Sequence, residues 1–346
     1  MRFHPAVRHA AALVLTSAFS LGAAAQELNL YSARHYQTDE ALYSDFTKAT
    51  GIRINRVDAD DAGILARLRT EGSTSPADVI LLVDAARLWR AEVDGLFQPA
   101  KSAVLESRIP AHLRGKDSGQ GSAWFGLSTR ARVIVHNKKA LSASDVDTYE
   151  KLAEPQNKGK VCTRSGSHPY NLSLFGAILE HIGPDATEKW LKGVVANMAR
   201  DPKGGDTDQI KAVASGECQI ALTNTYYLAR LMRSDRADDR TVVDNISVVF
   251  PNQQSWGSHV NIAGAAVAKF APHREAALKF LEYLASDQAQ AYFANGNNEW
   301  PAVAGVKIAN PALDAFGKFK AETIPVSVVG MNQVKIQQML DRVGYK

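Results

Sequence analysis

Four tyrosines and one histidine stand where predicted strands end and helices begin. His35 and Tyr36 follow the strand ELNLYS, and Tyr226 and Tyr227 follow CQIALTN. Tyr170 lies in RSGSHPYN, just after the short strand KVCTR. A tyrosine has a pKa of about 10, so ionising one at neutral pH costs on the order of 4 kcal/mol. Several phenolates at one place therefore require a strongly Lewis-acidic cation to hold them.

The donor atoms of this set predict which cation it suits. Thiolates favour soft metals, whereas charged oxygen donors favour hard ones. Calcium would call for clustered carboxylates in a loop, and the sequence has no such pattern. Ferric iron is the natural candidate, and because protons compete for phenolates we expect its release on mild acidification.

The charge of such a site has to be balanced by nearby groups. Arg130 and Arg132 occupy alternate positions of a predicted strand, from which a guanidinium could lie beside the phenolates. Ser165, Gly166 and Ser167 form a turn whose backbone amides could hold a synergistic carbonate or phosphate. Two simpler interpretations stay open: a solvated strand for the arginines, and an ordinary helix cap for the turn.

The two cysteines predict the relative placement of the tyrosines. Cys162 and Cys218 are an isolated pair, too few for a structural zinc site, and in an oxidising compartment they would form a disulfide. Each precedes a tyrosine, Tyr170 or Tyr226, by eight residues. If their strands are parallel neighbours, both tyrosines emerge at the same edge. Tyr226 and Tyr227 point in different directions, so at least one phenol should be exposed or hydrogen-bonded.

The N-terminus predicts export. Residues 1–25 read as a signal peptide, with Arg2 and Arg8 before an apolar run and a small-residue cleavage pattern ending at Ala25. A membrane anchor would need about 20 apolar residues, more than this run supplies. Removing 25 of the 346 residues leaves 321 and lowers the formal net charge from +4 to +2. Nothing in this balance indicates a nucleic-acid partner.

Short β-rich runs alternate with amphipathic helical stretches along the chain, which predicts an α/β fold with helical crossovers. A second α/β set begins near residue 160, and long strands near residues 130 and 258 would cross between two lobes. We therefore expect one lobe from 26–130 plus about 259–308, and another from 131–258 plus about 309–346. A ligand would bind between them, and hinge closure would enclose it.

Several segments together resemble the periplasmic ferric-iron-binding proteins of the FbpA family, the receptors of ABC-type iron importers. The segments are YSARHY, ADVILLVDAARL, LSTRARVIVHN, RSGSHPYN, GGDTDQIKAVASGECQIALTNTYY and NNEWPAV. The resemblance implies a two-lobed type II periplasmic-binding-protein fold. It also implies Tyr226 and Tyr227 as iron ligands, opposed by His35 and Tyr36.

The chain departs from one version of that site. Some members supply a glutamate where this sequence has Val83, with Asp84 one position on. The chain is similar instead to the tyrosine-rich branch, which implies Tyr170 as a further ligand and His35 as either a ligand or a neighbour. The anion and charge-balancing set implied here is Arg130, Ser165, Gly166 and Asn224.

The expected function is capture of Fe(III) and its delivery to an ABC-type permease in the inner membrane, by a monomer. The alternative is a binding protein for an organic or phosphorus-containing anion, recognised by arginines and helix N-termini. An enzyme is not expected, because the sequence has no G-x-S-x-G, H-E-x-x-H or P-loop motif. His168, His181 and His259 have no recognisable catalytic partners in the sequence.

Overall fold

The structure of the protein is a computed structural model that describes Met1, residues 26–34, Tyr36 and residues 38–346. Residues 2–25 of the predicted signal peptide, with its cleavage site, and His35 lie outside the described residues.

Ten strands are assigned in the described part of the chain. They are β1 (Glu27–Ser32), β2 (Arg53–Asp58), β3 (Val79–Leu82), β4 (Phe97–Gln98), β5 (Phe125–Asn137), β6 (Val161–Cys162), β7 (Ile220–Asn224), β8 (Ile246–Val249), β9 (Val260–Ala268) and β10 (Trp300–Pro301).

Thirteen α-helices accompany these strands over the same described ranges, together with short 3₁₀ turns. They are α1 (Asp39–Thr50), α2 (Asp61–Glu71), α3 (Ala85–Val93), α4 (Ala103–Arg108), α5 (Pro169–Ile182), α6 (Pro184–Ala196), α7 (Asp206–Ser215), α8 (Thr225–Met232), α9 (Ala237–Asp244), α10 (Arg274–Leu284), α11 (Asp287–Asn297), α12 (Pro311–Phe316) and α13 (Val326–Val343). None of these helices is long and apolar enough to cross a membrane.

One long strand joins the two halves of the sheet, whose strand order is β2-β1-β3-β9-β5-β7-β6. The first part of β5 pairs with β9, and its last part pairs with β7 and β8. The change of partner falls between Arg130, which is opposite Asn261 on β9, and Arg132, which is opposite Asn224 on β7. The prediction of a long crossing strand near residue 130 is confirmed.

Buried apolar residues form separate cores on the two sides of this crossing. Leu28, Phe46 and Phe280 belong to a core on the β1 and β3 side. Phe175 and Leu222 belong to a core on the β6 and β7 side. The fold is therefore α/β and two-lobed, as predicted; the residue boundaries assigned to the lobes stay a prediction.

The C-terminal helix α13 contacts both sides. It packs against α5, where the Asn332 side-chain amide donates to the Gly176 carbonyl oxygen at 3.0 Å. It also approaches α3 so closely that a Cβ at Gly330 would lie 2.4 Å from the Trp89 ring. A glycine is needed at this position, because any side chain there would overlap the indole.

The local sequence patterns behave as predicted at most elements. ELNLYS is β1, and α1 ends at Gly51, whose φ of 74° is the left-handed cap that glycine favours. Cys162 and Cys218 form a disulfide, and β6 and β7 are parallel neighbours. Cys162 ends the two-residue β6, and Cys218 precedes β7 by two residues.

A candidate metal centre between the lobes

Four of the predicted site residues come together between the two halves of the sheet. The Tyr170 and Tyr226 hydroxyl oxygens lie 3.2 Å apart. The Tyr36 ring meets the Tyr226 ring edge-on with centroids 5.9 Å apart, and the Tyr227 ring centroid lies 4.2 Å from that of Tyr226. Phenols from three separate segments therefore converge; the placement of His35 is not described.

The double tyrosine lies in the first turn of a helix. β7 ends at Asn224 and α8 begins at Thr225, so Tyr226 and Tyr227 occupy successive positions of the first helical turn. Tyr226 is 1% exposed, whereas Tyr227 is half-buried and lines an open cavity. The prediction that at least one of the two phenols is exposed or hydrogen-bonded is confirmed. The premise that the two side chains point in different directions is wrong, because their ring centroids lie 4.2 Å apart.

Tyr170 is held at the N-terminus of α5. Pro169 opens the helix, and the His168 Nδ1 accepts a hydrogen bond from the Tyr170 backbone N–H at 3.2 Å. Burial and repulsion from Arg164 lower the pKa of His168 to about 3, so its ring is neutral at pH 7 and keeps this acceptor. His168 thus acts as a helix cap, and its ring lies against the Tyr170 ring at 4.5 Å.

The surroundings keep the phenols protonated when no cation balances them. Burial raises the pKa of Tyr226, and the neighbouring phenols Tyr170 and Tyr36 raise it further. Burial likewise raises the pKa of Tyr170 and of Tyr36 above the ordinary tyrosine value. Forming phenolates here requires a positive charge close to all of them.

Arg130 supplies part of that positive charge. It is 1% exposed, and its guanidinium carbon lies 5.6 Å from the Tyr170 ring centroid. One nitrogen donates to the Val83 carbonyl oxygen, while Nε and Nη1 have no hydrogen-bond partner among the described residues. Burial disfavours the charged guanidinium, but attraction to Glu299 and to the phenols outweighs it and raises the pKa of Arg130. A buried cation with two unused donors therefore stands beside the tyrosines.

Arg132, two residues on, is instead ion-paired, with a carboxylate that it shares with Arg164. Its Nη1 lies 2.5 Å from an Asp206 carboxylate oxygen, and its Nη2 donates to the Asn171 side-chain oxygen at 2.8 Å. Asn224 joins this network, because its side-chain oxygen accepts from Arg132 and its backbone N–H donates to Asp206. The Asn224 Nδ2 finds no acceptor in the part of the chain that is described.

The turn predicted to bind an anion makes its hydrogen bonds to other protein groups. The Gly166 N–H donates to the Lys346 backbone oxygen at 2.7 Å, and a Cβ at Gly166 would lie 2.7 Å from the Tyr345 ring. The Ser165 hydroxyl bonds the Ser167 hydroxyl at 2.9 Å. The expectation that the Gly166 amide faces an anion is therefore wrong for this arrangement, because the C-terminal residues occupy that side of the turn.

Sequence reasoning missed the residues that hold Tyr36. The Arg34 guanidinium carbon lies 4.8 Å from the Tyr36 ring centroid and is ion-paired with Asp39 at 2.8 Å and with Glu299 at 3.1 Å. Glu299 also accepts from the Ser128 hydroxyl at 2.8 Å. Arg34 and Glu299 stand in YSARHY and NNEWPAV, but 265 positions separate them, and no pattern along the chain indicates that they pair.

A cavity of about 660 Å³ opens beside the tyrosines. Its lining includes Tyr36, Val83 and Asp61 on one side and Arg164 and Tyr170 on the other. Burial raises the pKa of Asp61 to about 6, against the opposing hydrogen bond from the Val83 N–H.

Position 83 offers no side-chain donor to this cavity, as the sequence indicated. The neighbouring Asp84 caps α3, where it accepts from the backbone N–H groups of Ala86 and Arg87.

No group of three or more histidine, cysteine, aspartate or glutamate side chains suited to a metal occurs within the described residues. The phenol oxygens gathered here are donors of the type that suits a hard cation.

Two of the other histidines have an acidic partner that the sequence does not indicate. The His259 Nδ1 pairs with one Glu322 carboxylate oxygen, and the His181 Nε2 lies 3.2 Å from the other. His259 and Glu322 meet because residues 258 and 321 pair as a β-bridge, which the sequence pattern does not reveal. The His259 backbone N–H donates to the Tyr149 hydroxyl, and neither His259 nor Glu322 lines the cavity beside the four site tyrosines.

Comparison with known proteins identifies related chains. The family profile described as bacterial extracellular solute-binding protein matches residues 41–320. The chain is 46% identical over 321 residues to the iron uptake protein A1 of Synechocystis sp., covering 93% of this chain and 88% of the relative.

Two solved structures are similar over nearly the whole chain. One is a Trichodesmium protein in complex with iron and citrate ligands, 49% identical with a TM-score of 0.86, covering 92% of this chain and 100% of that one. The other is the ferric binding protein of Campylobacter jejuni, 38% identical with a TM-score of 0.87 and the same coverage of both chains. These similarities extend across both halves of the sheet.

Proposed function

Because the chain belongs to the bacterial extracellular solute-binding proteins, we propose that it is an exported receptor that captures Fe(III) between its two lobes. Proteins of this family serve ABC transporters, and relatives and structural neighbours carry names of iron uptake and ferric binding. The iron is the cargo of the protein. It would be held by Tyr36, Tyr170, Tyr226 and Tyr227, with His35 as a conditional fifth ligand.

The observation that carries this proposal is the convergence of four phenols on one place. Tyr170 and Tyr226 bring their hydroxyl oxygens to 3.2 Å, with the rings of Tyr36 and Tyr227 beside Tyr226. Tyr170 and Tyr226 are buried, and their hydroxyls hydrogen-bond each other. As phenolates they would repel one another, and a trivalent cation at their centre would reverse that repulsion.

Arg130 favours the anionic form of the same site. A buried guanidinium without a paired carboxylate is costly, so its presence needs a compensating negative charge. Phenolates on a bound ferric ion would supply that charge, and three or four of them on one trivalent ion leave zero or one negative charge for Arg130 to balance. Arg132 does not serve this purpose, because it is already paired with Asp206.

We further propose a place for a small co-anion such as carbonate or phosphate. The 660 Å³ cavity exceeds what a metal ion fills, given that a water molecule takes about 30 Å³. Arg87 and Arg164 line it, and each has an Nε without a hydrogen-bond partner among the residues described. The same features support the second candidate, an organic or phosphorus-containing anion bound without metal.

The remaining parts of the proposal follow from the family. The protein would be cleaved near Ala25, act as a monomer in the periplasm, and deliver its iron to a permease in the inner membrane without catalysing a reaction. The lobes would be 26–130 with about 259–308, and 131–258 with about 309–346.

A titration of the metal-free protein with ferric citrate tests the proposal. We expect a visible phenolate-to-iron charge-transfer band that saturates at one equivalent and is lost in the double variant Tyr226→Phe, Tyr227→Phe. Tyr283→Phe is the matched control, because the Tyr283 hydroxyl donates to the Leu42 carbonyl oxygen away from the site. A colourless wild-type protein that is stabilised by citrate or phosphate in metal-free buffer would favour the anion candidate instead.

A further inference from the structure

Asp84 joins elements from both sides of the β5 crossing. One carboxylate oxygen caps α3 on the β1 and β3 side, where it accepts from the Ala86 and Arg87 N–H groups. The other accepts from the Asn261 side-chain amide at 2.7 Å and from the Ser173 hydroxyl at 2.8 Å. Ser173 belongs to α5, on the β6 and β7 side, so this bond spans the two lobes.

The α5 face that meets Asp84 is the face that carries a proposed iron ligand. Tyr170, Ser173 and Ala177 are spaced three and four residues apart, which places them on one side of the helix. Ala177 packs against Ala86 of α3 in a small buried cluster. These three residues of α5 therefore lead from the tyrosine cluster, through the hydrogen bond between Ser173 and Asp84, to an apolar contact with the opposite lobe.

The hydrogen bond between Ser173 and Asp84 lies next to the point where β5 crosses between the two lobes. Asn261 is opposite Arg130 in the β5 and β9 pairing, and its side-chain oxygen accepts from the Ala85 N–H at 2.9 Å. Asp84 and Ser173 are both 0% exposed. A rotation of one lobe about the crossing that separates α5 from α3 would leave a buried carboxylate without one of its donors, which is unfavourable.

We propose that Asp84 and Ser173 form a latch that holds the lobes closed and fixes the position of Tyr170 relative to Tyr36. Asp84 is a positioning residue here, because its carboxylate accepts hydrogen bonds from the N-terminus of α3, from Asn261 and from Ser173. The latch acts on lobe closure with or without iron; its effect on iron retention rests on the proposed function.

Distances between the lobes test the latch without iron. Spin labels at Lys48→Cys on α1 and Lys192→Cys on α6 use two exposed positions, and the native cysteines are held in their disulfide. In the metal-free protein, Ser173→Ala should shift the label distance distribution to longer values. Asp84→Asn, which keeps an oxygen for the α3 cap, should shift it in the same direction, and the double variant should add little to either.

Ser102→Ala is the matched control, because the Ser102 hydroxyl donates to Glu282 at 2.7 Å within one lobe. It should leave the label distances unchanged. With iron bound, Ser173→Ala should release the metal to a competing chelator about tenfold faster than the wild type, the size expected for a hydrogen bond to a charged group.

Unchanged distances in Ser173→Ala, or an equal shift in Ser102→Ala, would overturn the latch. A wild-type protein that fails to bind iron would overturn the proposed function and leave the distance result standing.

Discussion

The Tyr170 hydroxyl oxygen lies 3.2 Å from the Tyr226 hydroxyl oxygen, and the two residues are 56 positions apart in the sequence. The disulfide between Cys162 and Cys218 spans the same 56 positions. Each cysteine lies eight residues before its tyrosine, although Cys162 ends β6 and Cys218 precedes β7. The parallel pairing of β6 with β7 and the disulfide hold the two segments side by side, and each tyrosine is the second residue of the helix that follows.

Removing the disulfide should lower stability. For a closed loop of 56 residues, the loss of the constraint on the unfolded chain predicts a fall of about 4 kcal/mol in the free energy of unfolding for Cys162→Ser with Cys218→Ser. Urea unfolding of the oxidised wild type and the variant measures it. Equal stabilities, or two titratable thiols in the oxidised wild-type protein, would contradict the bond.

Iron uptake should release protons. Each phenol must lose its proton to bind the metal, so ferric affinity should rise with pH by about tenfold per pH unit for each tyrosinate formed, and acid should release the iron. Titration in weak buffer counts the protons, and Tyr226→Phe should release one fewer than the wild type. A ferric affinity that stays constant between pH 6 and 8 would exclude phenolate ligation.

The two crossing arginines should respond in opposite ways to substitution. Arg130→Gln removes a cation that no carboxylate pairs with, so ferric affinity should fall by roughly 10 to 100-fold while the unfolding free energy of the metal-free protein is maintained. Arg132→Gln leaves Asp206 without its closest partner and should cost about 3 kcal/mol of stability. Ferric competition and thermal unfolding separate the two effects. A loss of ferric affinity in Arg132→Gln, with a loss of stability in Arg130→Gln, would show that Arg132 faces the iron.

Glu322 should make the free energy of unfolding depend on pH in the acidic range. Burial alone would raise its pKa, but attraction to His259 and hydrogen bonds from His181 and His259 lower it to about 2. A carboxyl group with a lowered folded-state pKa stabilises the protein above its unfolded pKa, and this stabilisation is lost as the pH falls from about 4.5 towards 2. Glu322→Gln should therefore cost about 3 kcal/mol at pH 7.

The difference between Glu322→Gln and the wild type should shrink through that acid range. Glu188→Gln is the control, because Glu188 forms exposed ion pairs and its loss should change stability little. Unfolding free energies of the three proteins, measured from pH 7 down to pH 3, test this prediction. A constant difference between wild type and Glu322→Gln would show that the carboxylate gains nothing from its histidines.

Much of the site was determined by the sequence alone. Strand and helix periodicity placed the tyrosines at element ends, and the cysteine pair predicted that Tyr170 and Tyr226 emerge at the same edge, where their hydroxyl oxygens lie 3.2 Å apart. These predictions succeed because strand length, helix caps and chemical donor type are local properties of the chain. The α/β class and the crossing near residue 130 follow from the same periodicity.

Only the tertiary structure decided which charges the tyrosines meet. Arg130 and Arg132 look alike in the sequence, yet Asp206 on α7 pairs with Arg132, while Arg130 lies beside the phenols. The pairing of Arg34 with Glu299, and the hydrogen bond from the Gly166 amide to Lys346, likewise join distant segments. Partners of buried charges depend on how distant segments pack within each lobe, and a pattern along one chain carries no record of that packing.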